Sequence, residues 1–199
     1  MPDQELLQQL ERARRLGFLG PGPVEHHTAH AGGFVDALVD VVGRVVDLGS
    51  GGGVPGLVVA MARPDLEVVL VDAMAKRCRF LESAVAALGL GAAVVEGRAE
   101  VVGRGSLRGS AAAVLARGFG SPPVTAECAA PLLRLGGLLI VSEPPDPIER
   151  WPTSPLTELG LTVRHRTPTS PAMQVLEQTA PCPDRFPRRD GMPAKRPLF

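Results

Sequence analysis

The sequence predicts an α/β fold: one doubly wound, mostly parallel sheet with helices on both faces, a short helical extension before it and an antiparallel pair of strands at its end. Three observations carry this. From Arg44 onward, short β-branched runs alternate with helical stretches, the pattern of parallel strands joined by crossover helices. The first run breaks into Asp47-Leu48-Gly49-Ser50-Gly51-Gly52-Gly53-Val54-Pro55-Gly56, a glycine-rich turn from strand to helix. The last two strand-like segments, Leu161–Arg166 and Met173–Thr179, have no helix between them, so they must pair antiparallel.

Taken in order, residues 3–16 read as an amphipathic helix, because Leu6, Leu7, Leu10, Ala13 and Leu16 recur at helical spacing and Gly17 can end it. Gly20-Pro21-Gly22-Pro23 is a loop, and residues 24–40 form a second helix weakened by Gly32-Gly33. Residues 1–40 are thus a helical extension and residues 41–199 the main domain. Val45–Leu48 is the first strand, and Val54–Ala62 a helix with Pro55 near its first turn, where proline is tolerated. Glu67–Val71 is a strand ending at Asp72. The helix Ala75–Leu88 carries Phe80, Leu81, Ala84 and Val85 on one face. Ala92–Glu96 and Ala111–Ala116 are further strands; Val124–Leu135 is a helix leading through Gly136-Gly137 into the strand Leu138–Ser142. Glu143–Pro155 holds five prolines and reads as a loop. The sum is seven strands, the last pair antiparallel, which is the Rossmann-like, class I methyltransferase version of the doubly wound fold.

Composition narrows the function classes. The 199 residues suit one domain with a short prefix, and 45% are apolar, as in a globular chain. No apolar run reaches the roughly 18 residues of a membrane span, and the polar, acidic start Met1–Glu5 is not that of a signal peptide. Cys78, Cys128 and Cys182 are far apart, which fits free thiols in a cytoplasmic protein rather than metal ligands or disulfides. The net charge is zero, but Asp184–Phe199 holds five basic and two acidic residues, a +3 tail. Lys and Arg neutralise phosphates whatever the base sequence, so the tail is either an RNA contact or a solvated end.

The glycine turn carries the chemistry. Glycines let a backbone turn tightly and let a ligand touch the main chain, and the following helix N-terminus favours a ligand's negative charge. About 20 residues on, Asp72 ends the second strand, where a carboxylate can accept both hydroxyls of a ribose. Gly51-Gly52-Gly53-Val54-Pro55-Gly56 also satisfies the dinucleotide pattern GxGxxG. Asp47, two residues before Gly49, and the antiparallel end of the sheet favour S-adenosyl-L-methionine instead. Dinucleotide binding and a ligand-free turn stay open at this point.

Further stretches carry a resemblance to one family. Asp47–Gly56, Asp72-Ala73-Met74-Ala75-Lys76-Arg77-Cys78-Arg79-Phe80-Leu81, Gly97-Arg98-Ala99-Glu100, Ala116-Arg117-Gly118-Phe119 and Asp184-Arg185-Phe186-Pro187-Arg188-Arg189-Asp190-Gly191 resemble the small-subunit ribosomal RNA methyltransferase G family (RsmG/GidB), whose members methylate N7 of a guanine in 16S rRNA. The resemblance implies an S-adenosylmethionine-dependent enzyme of rRNA processing with small-subunit ribosomal RNA as partner. To the candidate cofactor contacts read from the glycine turn, Asp47, Gly51, Gly53 and Asp72, it adds Gly49 and Val54 on the methionine side, an adenine contact at Ala99 and Glu100, and Arg117 beside the transferring methyl, where it would position the reactants. The chain departs from the family pattern in two places. Arg117-Gly118-Phe119 stands where Arg-Ala-Phe is frequent, and Ser142-Glu143-Pro144 where the fifth strand commonly leads to Lys-Gly. The alternative is a divergent methyltransferase-fold protein with another substrate, or a non-catalytic module that binds RNA or protein.

Guanine N7 has a free lone pair at neutral pH, so such a transfer needs no general base and rests on proximity and orientation. No catalytic dyad is apparent. His26, His27 and His30 read as solvated or capping residues rather than a base or metal site. Cys128 inside a helix and Cys182 in a Pro-Cys-Pro loop are poorly placed as nucleophiles. Ser121-Pro122-Pro123-Val124 lacks the aromatic residue that completes the motif of amino-methylating enzymes.

Overall fold

The computed structural model describes residues 4–144, 149–168 and 171–199. The five β-α alternations and the terminal antiparallel pair form one seven-stranded sheet. Its strands are β1 (Arg44–Leu48), β2 (Glu67–Asp72), β3 (Ala93–Glu96), β4 (Ala111–Ala116), β5 (Leu133–Glu143), β6 (Leu161–Arg166) and β7 (Ala172–Gln178), in the order β3-β2-β1-β4-β5-β7-β6. The first five run parallel, and β7 lies antiparallel between β5 and β6. The chain winds outward from β1 to β3 and then returns to add β4 beside β1. The carboxyl ends of β1 and β4 therefore diverge at a topological switch point, where open α/β sheets bind ligands.

Strand side chains alternate between two cores, as a sheet buried on both faces requires. Val45, Leu70, Leu115 and Ile140 face one side, packed with α1 (Gln4–Arg15), α2 (Val24–Ala37), α3 (Gly56–Ala62) and α4 (Ala75–Ala87) through Leu6, Leu10, Phe34, Leu57 and Leu81. Val46, Val69, Val114 and Leu139 face the other, packed with α5 (Ala99–Val102), α6 (Pro122–Ala129) and α7 (Thr153–Glu158) through Val102, Cys128 and Leu156. The two helices of the N-terminal extension thus share a core with α3 and α4. Arg63, just past α3, donates to the carbonyls of Leu38 and Val41 and so ties off the end of α2.

Three expectations need correction. The helix expected at Val124–Leu135 starts at Pro122 and ends at Ala129, because Pro131 has no N–H to continue it; a 3-10 turn, Ala130–Leu132, then leads into β5. The proline-rich stretch Glu143–Pro155 ends in α7, whose prolines stand at its N-cap, Pro152, and in its first turn, Pro155, where no helical N–H is lost. Residues 145–148 of that stretch lie outside the described residues. The helix Val54–Ala62 begins only at Gly56.

The C-terminal tail is docked rather than loose. Glu127 of α6 is fully buried and holds Arg188 through its backbone N–H at 2.8 Å, Nε at 2.8 Å and Nη2 at 2.6 Å. Glu100 of α5 accepts the Gly191 N–H at 3.0 Å, and Arg98 pairs with Asp190. Phe186 is seated in the second core. Removing one partner of a buried pair strands the other charge, so Glu127→Ala should lower unfolding stability by about 3–5 kcal/mol. Urea titration followed by circular dichroism measures this; a loss of under about 1 kcal/mol would mean that the pair is as weak as one in solvent.

Candidate active site

The glycine turn is held by the ends of two strands. Gly49 and Ser50 donate their N–H groups to the Val71 carbonyl at 2.8 and 2.9 Å, and Gly53 donates to Ser50 at 2.7 Å. Asp72, at the end of β2, accepts the Gly51 N–H on Oδ2 at 2.9 Å and the Met74 N–H on Oδ1 at 2.8 Å. Its carboxylate therefore fastens the loop to the start of α4, and Arg77 stands 3.6 Å away. A second carboxylate lies under the loop. Asp47, at the end of β1, is 1% exposed and accepts the Gly56 N–H at 3.1 Å, capping α3 where its free N–H groups favour an anion. Gly56 must be glycine because a Cβ there would run into Asp47 and Leu70. Gly49 turns at φ 76°, and the Phe119 ring lies against its α-carbon.

The N-terminal extension covers the loop from outside. Phe18 packs edge-on to Phe80 of α4 with ring centres 5.8 Å apart, and its carbonyl sits over Gly51 and Gly52. The Arg77 guanidinium lies 6.0 Å above the Phe18 ring. Its buried Nε–H has no acceptor.

Arg117, one residue beyond β4, is half-buried and turns toward α2. Its Nη2 lies 2.6 Å from His27 Nδ1, and His27 Nε2 lies 3.2 Å from the Gly20 carbonyl. This network assigns the tautomer: Nε2 carries the proton, and Nδ1 accepts from Arg117. Burial, then the Arg117 charge, pulls the His27 pKa below its usual range, which keeps the ring neutral and able to accept. Burial also pulls the Arg117 pKa down, and the nearby Asp47 charge opposes that. His30 is shifted down by burial as well.

The histidines therefore need correction: His27 is a buried partner of Arg117, and only His26 is solvated. The partner of His27 lies 90 residues away, so the sequence did not show it. Among the described residues no group of His, Cys, Asp or Glu could hold a metal.

The other residues implied by the resemblance are placed as follows. Gly49, Gly51, Gly53, Asp47, Asp72 and Arg117 meet around the switch point. Val54 is a core residue packed with Leu57, so only its backbone can face a ligand. Ala99 is buried at the start of α5, and the Glu100 carboxylate is engaged by the tail. Cys78 and Cys128 are buried free thiols, and burial pushes the half-buried Cys182 up to about 11, so none is poised as a nucleophile. In the tail, Arg188 is neutralised by Glu127, and Arg185 stacks on Phe186 beside Glu158. Arg185, Arg189, Lys195 and Arg196 are the exposed cations there, and among the described residues Arg185 alone of these four has a carboxylate beside it, Glu158 at 3.6 Å.

The family described as rRNA small subunit methyltransferase G matches residues 25–143. A protein of that name from Deinococcus radiodurans is 35% identical, the match covering 83% of this chain and 73% of the relative. Another, from Rubrobacter xylanophilus, is also 35% identical, over 97% of this chain and 80% of the relative. A solved structure from Klebsiella pneumoniae, with an unproven O-methyltransferase assignment, superposes with a TM-score of 0.60 over 90% of this chain and 92% of that one. At 17% identity this shows the shared fold.

Burial pushes the Asp47 carboxyl up to about 7. The native protein thus holds that proton more tightly than the unfolded chain, whose aspartates titrate near 4. The Asp47 contribution to stability is greatest at low pH, declines as pH rises from about 4 to about 7, and is then constant. In Asp47→Asn the amide oxygen can still accept from Gly56, but nothing titrates. The urea midpoint at about pH 7.5 minus that at about pH 4.5 should therefore be more positive in the variant than in the parent protein. An unchanged difference would assign the pH dependence elsewhere.

Proposed function

The chain belongs to the rRNA small subunit methyltransferase G family, and from that premise we propose that it transfers the methyl group of S-adenosylmethionine to N7 of a guanine in small-subunit ribosomal RNA. The observation that carries this reading is the glycine turn fastened by Asp72 and underpinned by Asp47, with Arg117 facing it across the β1/β4 switch point. Residues 1–40 serve as a helical extension to a catalytic domain at 41–199, and the protein works in the cytoplasm.

The donor set fits the cofactor. S-adenosylmethionine presents an ammonium, a carboxylate, two ribose hydroxyls and an adenine, and supplies an electrophilic methyl on its sulfonium. Asp72 keeps lone pairs for ribose hydroxyls after accepting two backbone N–H groups. The unpaired Arg77 Nε–H beside it offers a donor. Asp47 suits the ammonium end, and the backbone of Gly49, Gly51, Gly53 and Val54 gives the chain of the methionine a surface without side chains. Ala99 and Glu100 would meet adenine through their backbone, since the Glu100 carboxylate holds the tail.

Guanine N7 attacks with its own lone pair, so these residues act by orientation rather than proton transfer. Arg117 stands at the end of β4, close enough to Asp47 to feel its charge. Bound to neutral His27, it is held in a single direction, from which its remaining N–H groups can meet the guanine O6 beside N7. The exposed Arg189, Lys195 and Arg196 serve the RNA backbone.

Incubation with labelled S-adenosylmethionine and 16S rRNA, followed by nucleoside mass spectrometry, should yield 7-methylguanosine; cofactor binding without any methylated rRNA would favour the divergent or non-catalytic alternative. Arg117→Ala should slow methylation roughly tenfold to a hundredfold while changing RNA affinity little. His27→Ala should act in the same direction, and more weakly. If Arg117→Ala lowers RNA affinity as much as rate, it is a phosphate contact. Neutralising Arg189, Lys195 and Arg196 together should flatten the salt dependence of RNA binding by about three phosphate contacts. An unchanged slope would remove the tail from the interface.

A further inference from the structure

Beyond the ends of β4 and β5 lies a cavity of about 350 Å³ that the cofactor contacts leave unused, walled by Phe119, Trp151, Glu143, Arg150, Thr125 and Pro122. It adjoins the site across Phe119, which both lines it and rests on Gly49. Its charged groups are Arg150 and Glu143, and the Glu143 side chain is 5% exposed. Oε1 accepts the Trp151 indole N–H at 3.1 Å, and Oε2 accepts from Arg150 at 2.9 Å. Each oxygen keeps a lone pair.

We propose that this cavity receives the target nucleobase and that Glu143 makes it selective for guanine, an inference that rests on the RNA-methyltransferase reading above. An enzyme that acts on a base must take it out of its stack into a pocket, and bases are gripped there by aromatic faces and by hydrogen bonds to the Watson–Crick edge. Phe119 and Trp151 supply the aromatic faces. A buried carboxylate supplies only acceptors. Guanine alone among the four bases presents two adjacent donors, N1–H and N2–H, with no acceptor between them on the part of the edge that a carboxylate spans. Adenine turns the N1 lone pair toward it, and uracil flanks its single donor with two carbonyls. Glu143 ends β5 and Gly49 follows β1, with β4 between them. That is two strand spacings, about 10 Å, which leaves room for one bicyclic base. A guanine with its Watson–Crick edge on Glu143 then turns its opposite edge, and N7 with it, toward the glycine loop.

Trp151 is the only tryptophan of the chain, so its emission reports the cavity without reference to activity. The full-length protein, with and without S-adenosylhomocysteine, is titrated with GMP, IMP and AMP. GMP should quench Trp151 saturably, IMP, which lacks the 2-amino group, should bind more weakly, and AMP about tenfold or more weaker than GMP. Glu143→Gln should compress the three affinities to within about threefold of one another, with S-adenosylhomocysteine affinity unchanged. Phe119→Leu should weaken all three alike, because stacking does not read base identity. No quenching by any nucleotide, equal affinity for GMP and AMP, or a parallel weakening of all three in Glu143→Gln would overturn the proposal. Methylation of 16S rRNA by the same preparation separates the two readings. An inactive protein that still sorts GMP from AMP refutes the methyltransferase reading alone, and an active one that does not sort them refutes the role of Glu143.

Discussion

A buried carboxylate at the end of β1 sets the geometry on which the site depends. Asp47 meets the first free N–H of α3, which satisfies a helix end that would otherwise be orphaned inside the protein. The contact draws α3 so close to β1 that residue 56 has no room for a side chain. The chain between them is then compressed into a glycine turn, whose outer limb is caught by Asp72 and the Val71 carbonyl. Two acids on neighbouring strands thus shape a main-chain cradle. Burial makes the inner one hold a proton more readily than an ordinary aspartate.

The rest of the site is assembled around this cradle from distant parts of the chain. The parallel order brings β4 beside β1, so that Arg117 and Phe119 face the loop from across the switch point. The N-terminal helices pack in the same core as α3 and α4 and deliver His27 to Arg117. They also lay Phe18 over the glycines. The extension thereby covers the glycine turn. The tail is docked on the opposite face of the sheet, where Glu127 and Glu100 pin Arg188 and Gly191. Its exposed basic residues are presented from an anchored strap, and Arg188, held by Glu127, is not among them.

The legible features were those written in local pattern. Strand and helix alternation, the position of the glycine turn, Asp72 at the end of β2 and the antiparallel final pair all follow from periodicity and breaker residues over a few positions. The helix ends at Pro131 and the short α7 were misread, because a proline's effect depends on whether its position would have needed an N–H, and that is a property of the helix already formed. Glu143 in the sequence was an acid standing where a cation is common. In the structure it is a buried acceptor bound to Trp151 and Arg150, which turns a mismatch of charge into a candidate for selecting a base.

By itself the sequence determined the fold class, the cradle and the family resemblance, since each is carried by residues close together in the chain, whose chemistry is tied to their spacing. Tertiary structure alone decided which charges remain available. Arg188 and Glu100 became tail anchors, His27 became the acceptor that aims Arg117, and Arg77 kept a buried donor without a partner. The reason is that an ion pair or a shared proton forms between groups brought within about 3 Å, and residues 27 and 117, or 127 and 188, come that close only when the sheet order has brought their elements together.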